Sequence, residues 1–329
     1  MKTERPETGE LLLQIKEKLE QADSVLLFPH VLMDGDALGS AAALCLALRR
    51  RGKQAEILLE DAVPANLRFL DRGLCTYESS LPAEPDVCMA VDCSDPGRFE
   101  KRQERFRAGK LRISIDHHVT NKGFADIDLV EPGAGATGEI VYRLLCAMGC
   151  PIDEETGLAL YAAIATDTGN YQYSNTTKES HLITAALYDS GMDHTIANRE
   201  IYQTVRPEKV KLTARTMAAM EFFCEGKGVV ACVSQKDLKE TGAWMEETEG
   251  LAEELRNICG VEISCLLKES ETGAVKVSLR AKGSRNVAAV SAAFGGGGHP
   301  GAAGCTLKGP MEEAKGLIMK AIAGELESC

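Results

Sequence analysis

Apolar residues in the first half of the chain alternate between short continuous runs and helically spaced sets. The continuous runs at 25–28 and 87–91 are typical of strands that are buried on both faces, and a third apolar run at 111–115, which includes Arg112 and Ser114, also predicts a strand. Residues 36–51 are rich in Ala and Leu, lack Pro and precede Gly52, which predicts a helix with a glycine stop. Strands that alternate with helices predict βα units around a mainly parallel sheet.

The same half carries further predicted elements. The spacing of Leu11, Leu12, Ile15 and Leu19 predicts a helix before the first strand. The others are a strand at 55–59, helices at 137–148 and 154–166, and a helix to Asp189 that a capping box at 176–179 opens.

The second half has a different pattern. Residues 193–223 are mostly helical, and Pro207 is placed to begin a new helix. Beyond them we expect strands at 229–233, 261–267 and 274–279 and helices at 287–294 and 311–325. The predicted fold class is therefore α/β, with an N-terminal domain built on a mainly parallel sheet, a helical linker and a smaller C-terminal α+β domain. The expected boundaries are 1–192, 193–224 and 225–329.

Acidic residues and histidines follow two of the predicted strands. Asp116, His117 and His118 come at the end of the third apolar run, and a second cluster follows the first run. That second cluster is His30, Asp34 and Asp36. In an open α/β sheet, active sites form at the carboxyl edge of the strands. Because Asp and His are ligands for divalent metals, these clusters predict a metal site.

Two further carboxylates strengthen this interpretation. Asp92 ends the run 87–91, and its two oxygens could bridge two cations. Asp167 closes an apolar helix, where the helix dipole disfavours a negative charge and a metal would offset the cost. Taken alone, Asp34 or Asp36 could equally be a helix cap. Asp92 alone would be typical of a turn residue at the end of a strand. Four such motifs in one domain favour a metal site that serves phosphoester chemistry.

The length, composition and net charge of the chain exclude some classes of protein function. The chain has 329 residues, 44% of them hydrophobic and 26% charged, which is ordinary for globular protein and long enough for two domains. Its net charge of −12 is of the wrong sign for a protein that coats long nucleic acid. No apolar run approaches the ~20 residues of a membrane span. The polar N-terminus is not a signal peptide, so we expect a cytoplasmic protein with no membrane partner.

The cysteines do not indicate a thiolate metal site. The chain has 12 of them and no C-x-x-C pair, and most lie in apolar runs, such as Cys45, Cys88 and Cys146. Buried reduced thiols fit this pattern better than disulfides or zinc ligands.

Candidate phosphate-binding groups lie in the second half. The alternation over residues 275–280 gives one apolar and one polar face, with Arg280 at the end of the polar face. Its guanidinium is suited to bidentate phosphate recognition. Gly295 to Gly298 precede His299. The glycine run alone is typical of a flexible turn, although its backbone amides could also cradle a phosphate.

With these motifs the chain resembles the DHH/DHHA1 phosphoesterases, named for the triplet at 116–118. All four N-terminal motifs occur in the family's order, and Gly296 to His299 followed by Ala302, Ala303 and Gly304 resembles the DHHA1 signature. The resemblance covers nearly the whole chain. It is strongest to two-domain members that hydrolyse nanoRNA and 3′-phosphoadenosine 5′-phosphate (pAp).

The resemblance implies two divalent ions, Mn²⁺ by preference or Mg²⁺. The ligands of the first ion would be His30, Asp34 and Asp92, and those of the second Asp36, Asp92, His117 and Asp167. Asp116 would orient a ligand imidazole, and His118 would face the substrate phosphate. The implied substrate-binding residues of the C-terminal domain are Arg280, Gly296, Gly297, Gly298 and His299.

The implied function is hydrolysis of short 5′-phosphorylated RNA to mononucleotides, and of pAp to AMP, by metal-assisted hydroxide attack in a cleft between the domains. The main alternative is a phosphodiesterase for cyclic di-AMP or a linear dinucleotide. The short acidic chain disfavours a RecJ-like processive nuclease, and the glycine–His signature disfavours a DHHA2-type pyrophosphatase. A nucleotide-binding sensor is the non-enzymatic alternative, which the complete set of ligand positions disfavours. A homodimer is implied by resemblance only.

The chain departs from the family at one place. Relatives often have an aromatic–Arg pair after the fourth motif, where this chain has Tyr171 and Gln172. This difference puts one substrate contact in doubt. Tyr171 and Tyr173 could stack on a base or pack within the domain.

Overall fold

The chain forms two compact units, Met1–Thr204 and Val205–Cys329. The computed structural model describes residues 6–327. The division after Thr204 falls inside the stretch 193–224 that the sequence predicts as a linker. No helix within the described residues is long and apolar enough to cross a membrane.

A six-stranded sheet forms the centre of the first unit, with all neighbouring strands parallel. Its strands are β1 (Ser24–Pro29), β2 (Gln54–Leu58), β3 (Cys75–Thr76), β4 (Val87–Val91), β5 (Leu111–Asp116) and β6 (Ile127–Val130). The order β3-β2-β1-β4-β5-β6 reverses direction between β1 and β4. In doubly wound sheets, ligands bind at the carboxyl end of such a switch point. The predicted parallel sheet is confirmed.

Helices cover both faces of this sheet. They are α1 (Pro6–Gln21), α2 (Gly35–Arg50), α3 (Gln103–Arg107), α4 (Thr137–Ala147), α5 (Glu154–Asp167), α6 (Lys178–Tyr188) and α7 (His194–Asn198), with 3₁₀ turns at Ala65–Leu70 and Pro96–Arg102 and a π turn at Arg199–Gln203. Val25 and Leu27 lie in the core with α1, α2 and α4. Leu26 and Phe28 face the opposite core around Phe99. A strand that is buried on both faces needs apolar residues at nearly every position, which explains the continuous apolar runs at 25–28 and 87–91.

Two glycines bring α2 against α5. A Cβ on Gly35 would lie 2.5 Å from the Thr166 side chain, and one on Gly39 would lie 2.5 Å from the Ala159 carbonyl oxygen. Both distances are far below van der Waals contact, so only glycine fits at this helix crossing. The crossing places the first turn of α2 beside the last turn of α5, where Asp167 lies.

The second unit contains a mixed sheet in the order β11-β12-β10-β9-β8-β7. Its elements are α8 (Pro207–Ala218), β7 (Glu221–Phe223), β8 (Gly228–Val233), α9 (Gln235–Thr241), a 3₁₀ turn at Met245–Thr248, α10 (Leu251–Arg256), β9 (Ile263–Glu269), β10 (Val275–Ala281), α11 (Val287–Ala292), β11 (Gly297–His299), β12 (Ala302–Leu307) and α12 (Met311–Glu327). Within this second sheet, as far as the structure describes it, β8 and β9 pair in parallel and the other neighbouring strands pair antiparallel. The predicted α+β organisation is confirmed.

Three sequence expectations need correction. The capping box lies one residue later than predicted, because the Thr177 hydroxyl accepts from the Ser180 backbone N–H. Residues 221–223 of the predicted helical linker form β7. The thiol of Cys146 is exposed, although those of Cys45 and Cys88 are buried as expected.

Candidate metal centre

The sheet order brings the predicted acidic loops together. β1 pairs with β4 and β4 with β5, all in parallel, so residues that follow these strands share one edge. His30 follows β1, Asp92 follows β4 and His117 follows β5, which ends at Asp116. Asp34 and Asp36 lie at the start of α2, and Asp167 ends α5. The structure thus places all six predicted metal ligands around one switch point.

Asp36 is fully buried and held by the N-terminus of α4. Its Oδ2 accepts from the backbone N–H of Thr137 at 2.7 Å, and its Oδ1 accepts from Gly138 at 2.9 Å and from the Ser40 hydroxyl at 3.0 Å. A carboxylate at a helix N-terminus is stabilised by the free N–H groups and the helix dipole. Asp36 therefore has one orientation before any ligand binds.

Asp92 stands at the centre of the cluster, with only 2% of its surface exposed. Its Oδ1 accepts from the Thr137 hydroxyl at 2.8 Å and lies 3.7 Å from His117 Nε2. Its Oδ2 lies 3.7 Å from His30 Nε2. The two oxygens thus face different histidines. The backbone φ of +56° is a strained conformation of the kind found at functional sites.

Three overlapping groups of side chains could each hold a cation. Within each group the candidate ligand atoms lie within 4.8 Å of one another. The groups are His30–Asp34–Asp92, Asp36–His117–Asp167 and Asp92–His117–His118. The first two correspond to the two ligand sets that the family resemblance implies.

The distances within the groups suit metal ligands better than hydrogen bonds. His117 Nε2 lies 3.5 Å from Asp167 Oδ2 and 3.9 Å from Asp36 Oδ2, and His30 Nε2 lies 3.7 Å from Asp34 Oδ2. Neighbouring ligands of an octahedral ion with bonds of about 2.1 Å lie roughly 3 Å apart, and opposite ligands about 4.2 Å. The observed values fall between these limits. The side chains present therefore fit divalent metal ions.

The electrostatics of the carboxylates agree with this fit. Burial, followed by the charges of Asp92 and Asp167, raises the pKa of Asp36 well above its ordinary value. Burial and the charge of Asp34 raise the pKa of Asp92, and burial raises the pKa of Asp167 to about 7. Crowded buried carboxylates favour the ionised form only when a cation is present. A divalent ion supplies that charge in the smallest space.

Asp34 combines the two roles that the sequence leaves open. Its Oδ1 accepts from the backbone N–H groups of Asp36 at 3.1 Å and Ala37 at 3.0 Å, so it caps α2. Its Oδ2 points to His30. The helix-cap interpretation is confirmed, and it leaves one oxygen available to a metal.

The expectation that Asp116 orients a ligand imidazole needs correction, because the imidazole that Asp116 contacts is that of His118 and not that of the predicted ligand His117. Asp116 Oδ1 accepts from His118 Nδ1 at 2.6 Å, and its Oδ2 accepts from the Asn121 side chain at 2.8 Å. Although burial acts in the opposite direction, these hydrogen bonds lower the pKa of Asp116. Burial acts to lower the pKa of His118. The hydrogen bond to Asp116 and the neighbouring negative charges outweigh burial and raise this pKa to about 9. Nε2 of His118 then remains for a partner, on a side chain that is 33% exposed.

Several residues that hold the ligands were not predicted from the sequence. Thr137 orients both Asp36 and Asp92, and Asn121 orients Asp116. The Asn175 amide donates to Asp167 Oδ2 at 3.1 Å. The Ala134 carbonyl lies 3.3 Å from His117 Nδ1, which directs Nε2 of that ring to the carboxylates. Such outer contacts fix ligand orientation and tautomer.

Two of the predicted substrate residues of the second unit, Arg280 and His299, lie in one row across three strands. Arg280 pairs with Ala302, and Ala302 pairs with His299. Residues paired across neighbouring strands point to the same face, so Arg280 and His299 flank the small side chain of Ala302. The sequence did not reveal that Glu253 accepts from Arg280 Nε at 2.6 Å. Arg280 is thus an oriented cation within an ion pair.

The three predicted glycines differ in their surroundings. A Cβ on Gly296 would lie 2.2 Å from the Gly304 carbonyl oxygen, and Gly298 has a φ of +141°. These two glycines are required by the hairpin itself. A Cβ on Gly297 would meet nothing within 4 Å. Gly297 therefore offers an open backbone on the face that carries Arg280 and His299.

Tyr171 packs within the first unit. Its hydroxyl lies 2.8 Å from Thr184 Oγ1, and its ring stacks on His181 at a centroid distance of 5.1 Å. His194 contacts the edges of the Tyr161 and Tyr188 rings. The packing interpretation of Tyr171 is confirmed. The Tyr173 ring lies against Gly169 and is 41% exposed.

Comparison with known proteins assigns both halves of the chain. Residues 24–166 match the model of the DHH family N-terminal domain, and residues 225–328 match that of the DHHA1 domain. The chain is 30% identical over 327 residues to the bifunctional oligoribonuclease and PAP phosphatase NrnA of Thermus thermophilus, covering 98% of this chain and 96% of that protein. The protein of that name from Bacillus subtilis is 25% identical over 292 residues, covering 87% of this chain and 90% of its own. The crystal structure of an exopolyphosphatase-related protein from Bacteroides fragilis matches with a TM-score of 0.90 at 26% identity over 96% of both chains.

Proposed function

Because the chain belongs to the DHH/DHHA1 family of phosphoesterases, we propose that it hydrolyses short 5′-phosphorylated oligoribonucleotides to mononucleotides and pAp to AMP. The observation that carries this proposal is the arrangement of Asp36, Asp92 and Asp167 around the two histidines His30 and His117. This arrangement supports metal-dependent phosphoester hydrolysis. The names of the two NrnA relatives support the substrate class.

The active site would bind two divalent metal ions, and Mn²⁺ would be the preferred metal. His30, Asp34 and Asp92 would hold one, and Asp36, Asp92, His117 and Asp167 would hold the other. When bound, such a pair activates water and neutralises the charge that develops on the attacking and leaving oxygens. Thr137 fixes Asp92 so that each of its oxygens faces one ligand group.

His118 would bind the substrate phosphate from the side opposite Asp116. Asp116 Oδ1 accepts a hydrogen bond from the Nδ1–H group of His118 and holds the imidazole in one orientation. The same carboxylate favours the protonated ring, whose Nε2–H would donate to a phosphate oxygen. Asp116 thus acts as a positioning residue and His118 as a catalytic residue.

The second unit, which we propose as the substrate-binding domain 225–329, would hold a further phosphate of the substrate. Arg280 and His299 present a guanidinium and an imidazole on one face of the sheet. Gly297, the first residue of β11, leaves the backbone open on the same face because it has no side chain. Binding of one terminal phosphate by dedicated groups favours short chains. The net charge of −12 acts against binding of long RNA.

Replacing Gly297 with Val tests the substrate face. The variant should raise the KM for the dinucleotide pApA about 10- to 100-fold, because loss of one hydrogen bond to a charged group costs about 1.5–3 kcal/mol. Its melting temperature should stay within about 2 °C of the wild type, since a Cβ at this position meets no atom. Thr306→Val, which places the same side chain at the far end of β12, is the control. An unchanged KM in the Gly297 variant would remove this face from the substrate site.

A direct comparison of substrates tests the proposed function. Purified protein with Mn²⁺ is given pAp, pApA, a long single-stranded RNA and cyclic di-AMP, and the products are identified by chromatography. We expect AMP from pAp and pApA and slow attack on the other two. Preferential opening of cyclic di-AMP would instead establish a cyclic dinucleotide phosphodiesterase. Binding of these ligands without turnover would establish a sensor.

A further inference from the structure

Arg98 lies beside the metal centre without belonging to it. It follows Asp92 by six residues, in the 3₁₀ turn Pro96–Arg102. The backbone of this turn is tied to the loop after β1, because the Val31 N–H donates to the Arg98 carbonyl at 2.7 Å. The Arg98 N–H donates to the Asp95 carbonyl at 3.0 Å. The position of Arg98 relative to His30 is therefore fixed by main-chain hydrogen bonds.

Two groups compete for Nδ1 of His30. The Val31 carbonyl oxygen lies 2.7 Å from this nitrogen, and Arg98 Nη2 lies 2.9 Å from it. A carbonyl oxygen can only accept a hydrogen bond, and a guanidinium can only donate one. Since the ring nitrogen either carries a proton or does not, it can bond to only one of the two groups.

The geometry of the other ring nitrogen decides between them. Nε2 of His30 faces Asp34 and Asp92, each at 3.7 Å, which is where a metal ligand needs its lone pair. A neutral imidazole with a free Nε2 carries its proton on Nδ1. That proton is donated to the Val31 carbonyl. The Arg98 N–H then points at another N–H, so the guanidinium has no partner on the ring.

In the part of the chain that the structure describes, no carboxylate neutralises this cation. Among residues 6–327, no carboxylate oxygen lies within 4 Å of the Arg98 guanidinium nitrogens, whereas Arg102 in the same turn contacts Glu60. The Arg98 side chain is exposed. A guanidinium without a carboxylate, on the loop that carries Asp92, is suited to a substrate anion. Its planar fork matches two oxygens of a phosphate.

We infer that Arg98 binds a non-bridging oxygen of the phosphate that undergoes hydrolysis, and is thus a further catalytic residue of the first unit. The inference rests on the proposed phosphoesterase function. It assigns to Arg98 a role in substrate binding and not in metal binding, and this distinction can be measured.

The test uses Arg98→Gln, Arg98→Lys and the control Arg107→Gln in the full-length protein. Arg107 is exposed on α3, and its guanidinium donates to Gln103 at 2.6 Å. Mn²⁺ affinity is measured by calorimetry, and kcat/KM is measured with pApA and with bis(p-nitrophenyl) phosphate, a diester without nucleoside or terminal phosphate. Because the second substrate reports any phosphodiesterase activity, failure of the nucleotide assignment does not affect the test of Arg98.

We expect Arg98→Gln to lower kcat/KM about 10- to 100-fold on both substrates, the effect of one hydrogen bond to a charged group. Arg98→Lys should retain part of the rate, because it keeps the charge and loses the fork. Mn²⁺ affinity should stay within about twofold in all three variants, and Arg107→Gln should resemble the wild type. A fall in Mn²⁺ affinity that matches the fall in rate would overturn the inference, since Arg98 would then only position His30. A loss confined to pApA would also overturn it, because Arg98 would then bind a group remote from the reacting phosphate.

Discussion

An Asp92→Asn variant should lose hydrolytic activity by more than about 1000-fold, while its metal-free form stays at least as stable as the metal-free wild type. Loss of an outer partner of a ligand already costs about 10- to 100-fold in affinity or activity, and Asp92 would be a ligand to both ions. The stability expectation has a separate cause. Asp92 is buried beside other carboxylates, and its raised pKa indicates that its charge is unfavourable there. Removal of that charge relieves repulsion in the absence of metal.

Asn is the right replacement because of the backbone at this position. Asp92 has a φ of +56°, a conformation that Asn tolerates better than Ala. The Asn side-chain oxygen can also still accept from the Thr137 hydroxyl. Activity, Mn²⁺ affinity and thermal unfolding with and without EDTA are measured together, with Asp189→Asn at the exposed end of α6 as the control. Undiminished hydrolysis by the Asp92 variant would contradict its assignment as a bridging ligand.

Replacing Gly39 with Ala is expected to destabilise the protein by about 1–3 kcal/mol or more, although Ala favours helices. The added Cβ would lie 2.5 Å from the Ala159 carbonyl oxygen and 3.0 Å from the Ala163 backbone nitrogen. Overpacking of a close helix crossing costs this much, because backbone on both sides must move. Separation of α2 from α5 would also move Asp36 away from Asp167. We therefore expect weaker Mn²⁺ binding as well as lower stability.

Gly316→Ala provides the matched control for this substitution. Gly316 lies inside α12, and a Cβ there would meet no atom within 4 Å. The same change should therefore stabilise that helix by about 0.5–1 kcal/mol, the ordinary difference between Gly and Ala in a helix. The two free energies of unfolding are compared by denaturant titration. Equal effects at both positions would mean that the α2–α5 crossing does not depend on glycine.

The sequence predicts the first sheet well for a physical reason. β1 and β4 are buried on both faces, so each contains an unbroken apolar run, and in β5 the apolar residues Leu111, Ile113 and Ile115 alternate with polar ones. The residues that end or follow these strands lie at the carboxyl edge of the sheet. His30, Asp92 and Asp116 were found in this way. The short strands β3 and β11 have no such pattern, because two or three residues contain too little periodicity to detect.

The contacts that orient the metal-site side chains could not be predicted from the sequence. Thr137, Asn121 and Asn175 are ordinary polar residues whose partners lie far away in the chain, such as Asp36, which is 101 residues before Thr137. No local spacing indicates such pairs. The ion pair of Arg280 with Glu253 is hidden for the same reason. Resemblance to a family identifies ligands, whereas the groups that hold them are visible only in three dimensions.

The most direct test of the account joins metal content to activity. Protein stripped of metal is titrated with Mn²⁺, and bound metal per chain and the rate of pApA hydrolysis are recorded on the same samples. We predict no hydrolysis without metal and a rate that rises as two ions bind per chain. Hydrolysis that persists in the stripped protein, or two bound ions with no hydrolysis of pApA or pAp, would contradict the assignment of this centre as a metal-dependent phosphoesterase.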